Sequence, residues 1–270
     1  MNEEAPKNND ISPILEGWDY RPDRPAVRQI VGNDGKPKIQ LRLDLGLLQM
    51  EATGRPDGKR PHGFDTLLAH YRAMLESDHV VSEGENDFTL NEEECVKLQL
   101  ESMQFYHRRI SWLELGEYSA AEADAQHNLD IITFVTEHAQ TDQLKEMFVQ
   151  WKPFVLVHRT MARARKAWEK SEFDRAIEII EEGVGDIAQA YRDQGREDAV
   201  ENAGEIAFLR KWAEEIDQTR PLSLRQRLER ELDSAVADEA FERAAVIRDR
   251  LRDMGAEGDE ISTSDPPTSE

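Results

Sequence analysis

Gly116-Glu117-Tyr118-Ser119-Ala120-Ala121 returns 55 residues later as Ser171-Glu172-Phe173-Asp174-Arg175-Ala176, and this echo decides how the chain is read. The shared pattern is small–Glu–aromatic–x–x–Ala. Each copy follows a long helical pattern that holds a tryptophan, Trp112 or Trp168, and each precedes another helical pattern. A short turn ends one helix, the aromatic is expected to be buried between the paired helices, and the alanine lets the second helix approach closely. Internal self-similarity of this kind marks helical repeats. The alternative is an ordinary helical bundle with two similar turns. Working outward, Asn91 followed by Glu92–Glu94 opens the helical region, a cap with carboxylates at the positive end of the helix dipole. Periodicity predicts helices near 92–116, 119–138, 141–170, 173–194, 197–217, 222–236 and 239–254. Pro153 lies inside the third and is expected to kink or split it, because it lacks an N–H and clashes one turn back.

Upstream the period changes to two. Ala26–Val31 and Lys38–Ala52 are strand-like, separated by Gly32-Asn33-Asp34-Gly35-Lys36-Pro37. Ile39, Leu41, Leu43 and Leu45 alternate with Gln40, Arg42 and Asp44, which predicts a half-buried strand and hence a hairpin. Gly46 breaks the alternation and predicts a bulge or bend. Gly54–Gly63, with three glycines and two prolines, predicts a structured loop, and Phe64–Glu76 a helix. The fold class expected is mainly α: a small N-terminal β-hairpin plus helix, a helical-hairpin array, and a C-terminal antiparallel two-helix hairpin. The expected divisions are a disordered 1–17, an α+β segment at 18–78, an acidic linker at 79–90, a helical repeat domain at 91–219, the hairpin at 222–254 and a disordered acidic tail at 255–270.

The 270 residues carry 34 Lys+Arg against 56 Asp+Glu, a formal net charge of −22. Such acidity argues against direct binding of the whole chain to nucleic acid or an anionic membrane. The charge is uneven. Tyr20–Arg72 holds ten Lys/Arg and six Asp/Glu, so it is +4 and the remainder −26. Opposite signs suggest different tasks or mutual attraction. One cysteine, Cys95, excludes an internal disulfide and a Cys-rich zinc site. With no long apolar run and no signal-like start in Met1–Asp10, a cytoplasmic location without a membrane partner is expected.

Leu224–Met254 is the other informative stretch. Leu224, Leu228, Leu232 and Val236 recur every four residues. After a short turn, Phe241, Ala244, Ala245, Ile247, Leu251 and Met254 follow at helical spacing. Two amphipathic helices so joined form an antiparallel hairpin in which Phe241 is expected to plug the closed end. A hairpin of this size rarely buries enough to stand alone, so it wants a partner or a second copy. Phe241-Glu242-Arg243-Ala244-Ala245-Val246-Ile247-Arg248-Asp249 resembles the UVR motif shared by the excision-repair proteins UvrB and UvrC, Clp-type unfoldase subunits and the arginine-kinase activator McsA. The resemblance implies protein–protein contact, since the motifs of UvrB and UvrC pair with each other. On it, Leu228, Leu232, Phe241, Ala244, Ala245, Arg248 and Asp249 are the partner-binding candidates. The chain lacks the phosphate loop of UvrB and any evident nuclease signature of UvrC. The turns at 116–121 and 171–176 resemble those of tetratricopeptide repeats, whose period is shorter, at about 34 residues. In that pattern the late small position is Asn128 in the first copy and Gly183 in the second.

No catalytic set is expected. The seven histidines, at 62, 70, 79, 107, 127, 138 and 158, show no three- or four-residue pairing, so neither a helical metal site nor a cofactor is expected. Cys95, beside Glu92–Glu94, is expected to be a buried or inert thiol. The loop residues Arg55, Lys59 and Arg60 are the candidate anion site, helped by N–H groups at the glycines. Their alternative role is structural, with Arg55 and Arg60 pairing with acids such as Asp57 and Asp65. The function expected is a non-enzymatic adaptor or scaffold that docks a protein through the hairpin. The alternatives are a ligand sensor or enzyme at the N-terminal loop, and a DNA-repair accessory factor.

Overall fold

The computed structural model describes residues 10–81, 88–221 and 224–261. The polar start before residue 10, the acidic stretch 82–87 and the tail from 262 lie outside the described residues. The chain divides into two compact units, Met1–Asp217 and Gln218–Glu270.

In the first unit a short helix, α1 (Ser12–Leu15), falls within the stretch expected to be disordered. The expected long strand Lys38–Ala52 is two strands. β1 (Ala26–Val31), β2 (Pro37–Leu43) and β3 (Gly46–Glu51) form an antiparallel meander in the order β1-β2-β3. The chain reverses at Asp44-Leu45, where the sequence suggested only a bend, and Leu45 sits exposed at the tip. Reversal restores the alternation on the next strand: Ile39 pairs with Met50 and Leu41 with Leu48 on one face. That face packs with Trp112, Ala121 and Ala162 of the helical region. The N-terminal segment is therefore a layer on the helices, not a separate domain. On the opposite face a polar ladder crosses all three strands. Arg28 Nε donates to Gln40 Oε1 at 2.7 Å, and Gln40 Nε2 donates to Gln49 Oε1 at 2.9 Å. The Trp18 ring lies 4.0 Å from the Arg28 guanidinium.

The helices are α2 (Leu67–Val81), α3 (Glu92–Leu115), α4 (Tyr118–His138), α5 (Asp142–Val149), α6 (Lys152–Glu169), α7 (Phe173–Asp193), α8 (Ala199–Asn202) and α9 (Gly204–Thr219). Asn91 and Glu94 form a reciprocal capping box at the start of α3. Pro153 does split its helix: α5 ends at Val149, and Pro153 takes the first turn of α6, where a missing N–H breaks no helical bond. The expected helix at 197–217 is instead interrupted at Ala203, whose ψ is 114°. The acidic linker shrinks from both ends, because α2 runs on to Val81 and Leu90 is fully buried. Leu90 N–H donates to the His138 carbonyl at 2.8 Å. Helices α3 and α4 pair, α6 and α7 pair, and α4 packs on α6, so two hairpins lie side by side. The 55-residue spacing accommodates the 21-residue α4, the 8-residue α5 and the 18-residue α6.

The second unit is α10 (Leu224–Ala237) against α11 (Phe241–Ile261), so helix continues into the region expected to be a disordered tail.

One turn recurs three times. Gly116, Ser171 and Glu239 hold positive φ, at 77°, 61° and 55°. The next N–H in each case reaches back five residues: Glu117 to the Trp112 carbonyl at 2.9 Å, Glu172 to Ala167 at 3.0 Å, and Ala240 to Ala235 at 2.8 Å. This closure satisfies orphan carbonyls at a helix C-terminus. An aromatic then begins the next helix (Tyr118, Phe173, Phe241), and the alanine three residues on is buried (Ala121, Ala176, Ala244). Tyr118 and Phe173 are only half-buried, against the expectation of full burial.

Gly183 of α7 shows how closely α6 and α7 approach. A Cβ there would meet Thr160 Oγ1, Cγ2 and Cβ, the last at 2.8 Å. Thr160 is itself buried. Gly183→Ala should therefore cost about 1–3 kcal/mol through overpacking. That outweighs the gain in helix propensity, which is at most about 1 kcal/mol. Thermal unfolding checks it.

Candidate functional site

The C-terminal hairpin closes on Leu228 and Ala235 from α10 and Ala244 and Ile247 from α11, flanked by Leu232, Ala240 and Leu251. The sequence stripe took Val236 as its last member, whereas the seam takes Ala235. A helix turns about 100° per residue, so Val236 has drifted about 80° from Leu228 and Ala235 only about 20°. The side chains of Leu224 and Met254 lie outside those described. The larger correction is Phe241, which does not plug the closed end and is 67% exposed. It is the first residue of α11, as Tyr118 is of α4 and Phe173 of α7, but unlike them it packs against no hydrophobic core cluster among the described residues. Val236 and Val246 are exposed too, at 52% and 68%. Of the partner-binding candidates, Leu228 and Ala244 are buried in the seam, Leu232 and Ala245 are half-buried, and Phe241, Arg248 and Asp249 face solvent. Asp249 pairs with Arg252 at 3.3 Å.

The N-terminal loop does not assemble its three basic residues into an anion site. Arg55 turns inward, with Nε 3.0 Å from Glu101 Oε2 and Nη1 3.2 Å from Asp57 Oδ2. Arg60 pairs with Asp65 at 2.9 Å on the surface. Lys59 is exposed, and its backbone N–H donates to Asp57 Oδ1 at 3.0 Å. Two of the three cations are thus held by acids of the fold, and Arg55 belongs to the core.

That core contains a polar cluster which sequence reasoning missed. Glu101 is fully buried; it accepts from the Leu67 and Leu68 N–H groups at 2.7 and 3.2 Å and lies 3.2 Å from His127 Nε2. It caps the first turn of α2, where N–H groups have no intrahelical partner. Burial pushes its carboxyl up. The His127 hydrogen bond and the two backbone N–H groups outweigh that and hold it below its usual value. Arg108 forms a two-point fork on Asp124, at 2.8 and 2.7 Å, and its third nitrogen donates to the carbonyls of Glu51 and Gly54. Arg109 Nε donates to His158 Nδ1 at 3.1 Å. Burial and the adjacent Arg109 charge push His158 down to about 3, so the ring is a neutral acceptor. A signal was present. Glu101 and Arg108 occupy the apolar stripe Cys95, Leu98, Phe105, Trp112 of α3, and Asp124 and Asn128 the stripe of α4. Polar residues at core positions require partners.

Cys95 is buried, and burial with Glu94 nearby raises its thiol to about 11. Among the described residues no group of three His, Cys, Asp or Glu could hold a metal ion, and no helix is long and apolar enough to cross a membrane.

With the hairpin's geometry in place, comparison with known families matches residues 223–257, the span of α10 and most of α11, to the UvrB/uvrC motif. The chain carries a UVR motif, and such motifs are associated with protein interaction and DNA repair. No curated protein and no solved structure matches the chain.

Proposed function

We propose that this protein is a non-enzymatic adaptor that docks a protein partner through its UVR hairpin, with the side-by-side helical hairpins as scaffold. The observation that carries the reading is the contrast between equivalent aromatics. Tyr118 and Phe173, in the two internal turns, are half-buried against neighbouring core residues. Phe241, at the same place in the same turn, is left two-thirds exposed, and Val236 and Val246 of the same hairpin are exposed too. The UVR hairpin thus presents an apolar tip where its internal counterparts have found a further layer. The UVR motif supports a protein as that layer, and the pairing of such motifs in UvrB and UvrC points to another UVR hairpin.

Phe241→Ala removes an exposed ring, so it should change the melting temperature little. It should nonetheless lower affinity for a purified UVR-hairpin partner by about tenfold or more, as loss of an aromatic anchor does. Titration calorimetry with wild type and variant measures this. Equal affinity of the two proteins, with both hairpins folded by circular dichroism, would remove the docking role.

A further inference from the structure

A cleft of about 250 Å³ opens between α3, α4, α5 and α6. Its walls are apolar, built by Tyr106, Met147, Phe148 and Phe154, with Met103 and Trp151 half-exposed. Half-buried Gln99 and Ser102 also line it, and two deeply buried polar groups interrupt its apolar wall. Arg109 is 1% exposed, and its Nη1 has no hydrogen-bond partner. Asn128 is 2% exposed; its Nδ2 donates to the Ser102 carbonyl at 3.1 Å, and its Oδ1 has no hydrogen-bond partner.

Ion-pair geometry singles out Arg109. Arg55 reaches Glu101 and Asp57, and Arg108 reaches Asp124. Among the described residues Arg109 has no carboxylate within ion-pair distance: Asp124, held by Arg108, acts on it only from farther off, its one side-chain hydrogen bond goes to His158, and its guanidinium carbon lies 5.6 Å from the centre of the Tyr106 ring. A buried guanidinium without a direct anionic partner is costly, and a buried acceptor without a donor adds to that cost. Both defects lie in one cleft and do not relieve each other.

We propose that this cleft binds a small organic monocarboxylate that carries an N–H or O–H donor beside the carboxylate and an apolar body beyond it. One guanidinium nitrogen without a partner suits a single carboxylate oxygen better than a phosphate dianion, which needs several donors. The carboxylate would meet Arg109, the donor Asn128 Oδ1, and the body the aromatic and methionine wall. The apolar lining disfavours a hydrated inorganic ion, which would shed its water without compensation. Few convergent polar groups in a mostly apolar cleft are the usual make-up of a small-molecule site.

N-acetyl-L-phenylalanine is a suitable probe, titrated into the full chain by calorimetry. Its carboxamide analogue lacks the charge, and 3-phenylpropionate lacks the N–H. The acid should bind about 10–100-fold more tightly than the carboxamide, the range expected for a charge-assisted hydrogen bond, and 3-phenylpropionate should fall between them. Arg109→Met should lose binding to the same degree while melting no lower than wild type, since replacing an unpaired buried charge by an apolar side chain relieves strain on the fold. A merely structural arginine would show the reverse, a lower melting temperature. Should Arg109→Met fail to fold, Met103→Glu at the half-exposed mouth tests the same site by repulsion and should weaken the acid at least tenfold. Phe241→Ala should leave binding unchanged, so that this site and the docking role stand or fall separately. Absence of binding by the acid, or equal affinity for acid and carboxamide, overturns the proposal.

Discussion

Arg108→Ala should destabilise the protein by about 3–5 kcal/mol, the usual result of breaking a buried ion pair from one side. The substitution strands Asp124, which is 4% exposed, and takes the donor from the carbonyls of Glu51 and Gly54 at the end of β3. Arg108 is thus the bolt between the N-terminal sheet and the α3–α4 hairpin. Against a total stability of about 5–15 kcal/mol this is a large loss. Arg108→Lys should not rescue it, because a single ammonium cannot reproduce the fork on Asp124 or serve both carbonyls at once. Denaturant unfolding gives the magnitude. Hydrogen exchange should show the β3 amides and the 52–58 loop losing protection first. A loss under 1 kcal/mol would mean the fork is solvated and dispensable.

Glu101→Ala should cost a similar amount. It leaves Arg55 without its innermost partner and uncaps the first two N–H groups of α2 at once. Glu101→Gln should fall between the two, since an amide keeps one acceptor and turns its NH₂ toward existing donors. The same residue makes the fold acid-sensitive. The folded carboxyl lies below its ordinary 4.5, so the unfolded chain takes up the proton first as pH falls. The stabilisation is complete above about pH 4.5 and is lost as pH drops through the folded value. His158 acts on the same side from a higher start. Its ordinary value is 6.5 and its folded value about 3, so its contribution fades from pH 6.5 downward. Melting temperatures taken from pH 8 to pH 4 should fall in wild type. They should fall less steeply in Glu101→Gln once both are below pH 5. Parallel acid limbs would show that Glu101 does not titrate differently in the folded state.

Both predictions concern residues that the apolar stripes pass over. Reading α3 as an amphipathic helix finds Cys95, Leu98, Phe105 and Trp112, and treats Glu101 and Arg108 as interruptions. Their partners lie 16 or more residues away on other elements: Asp124 on α4, the α2 amide groups, and Arg55 in the loop. Arg55 illustrates the difficulty. In sequence it stands in a basic, glycine-rich loop and suggests an anion site. In space its anion is a glutamate 46 residues along the chain. The positive N-terminal segment and the acidic helices do attract one another, as the charge division suggested, through this pair and through Arg72 with Asp130 on the surface.

What the sequence determined by itself is local and periodic. The helical spacing, the Asn91 cap, the break at Pro153 and the twice-repeated turn each follow from interactions within a few residues, so they were legible without coordinates. The UVR hairpin was legible for the same reason, since its two helices and their turn are contiguous. Tertiary structure decided what depends on distance and on exposure. The reversal at Asp44-Leu45 was settled by packing Ile39, Leu41, Leu48 and Met50 together on Trp112. The seam of the C-terminal hairpin was settled by helical drift, which put Ala235 inside and left Val236 outside. Phe241 was settled by its surroundings: Tyr118 and Phe173 hold the same place in the same turn and pack against core residues, whereas Phe241 packs against no core cluster among the described residues and stays exposed. The direct pairing of Arg108 with Asp124 and the lack of a directly bonded carboxylate at Arg109, adjacent residues of one type, rest on which neighbour each meets across the helix packing. Sequence gives both the same chemistry, and only the fold gives one of them a carboxylate.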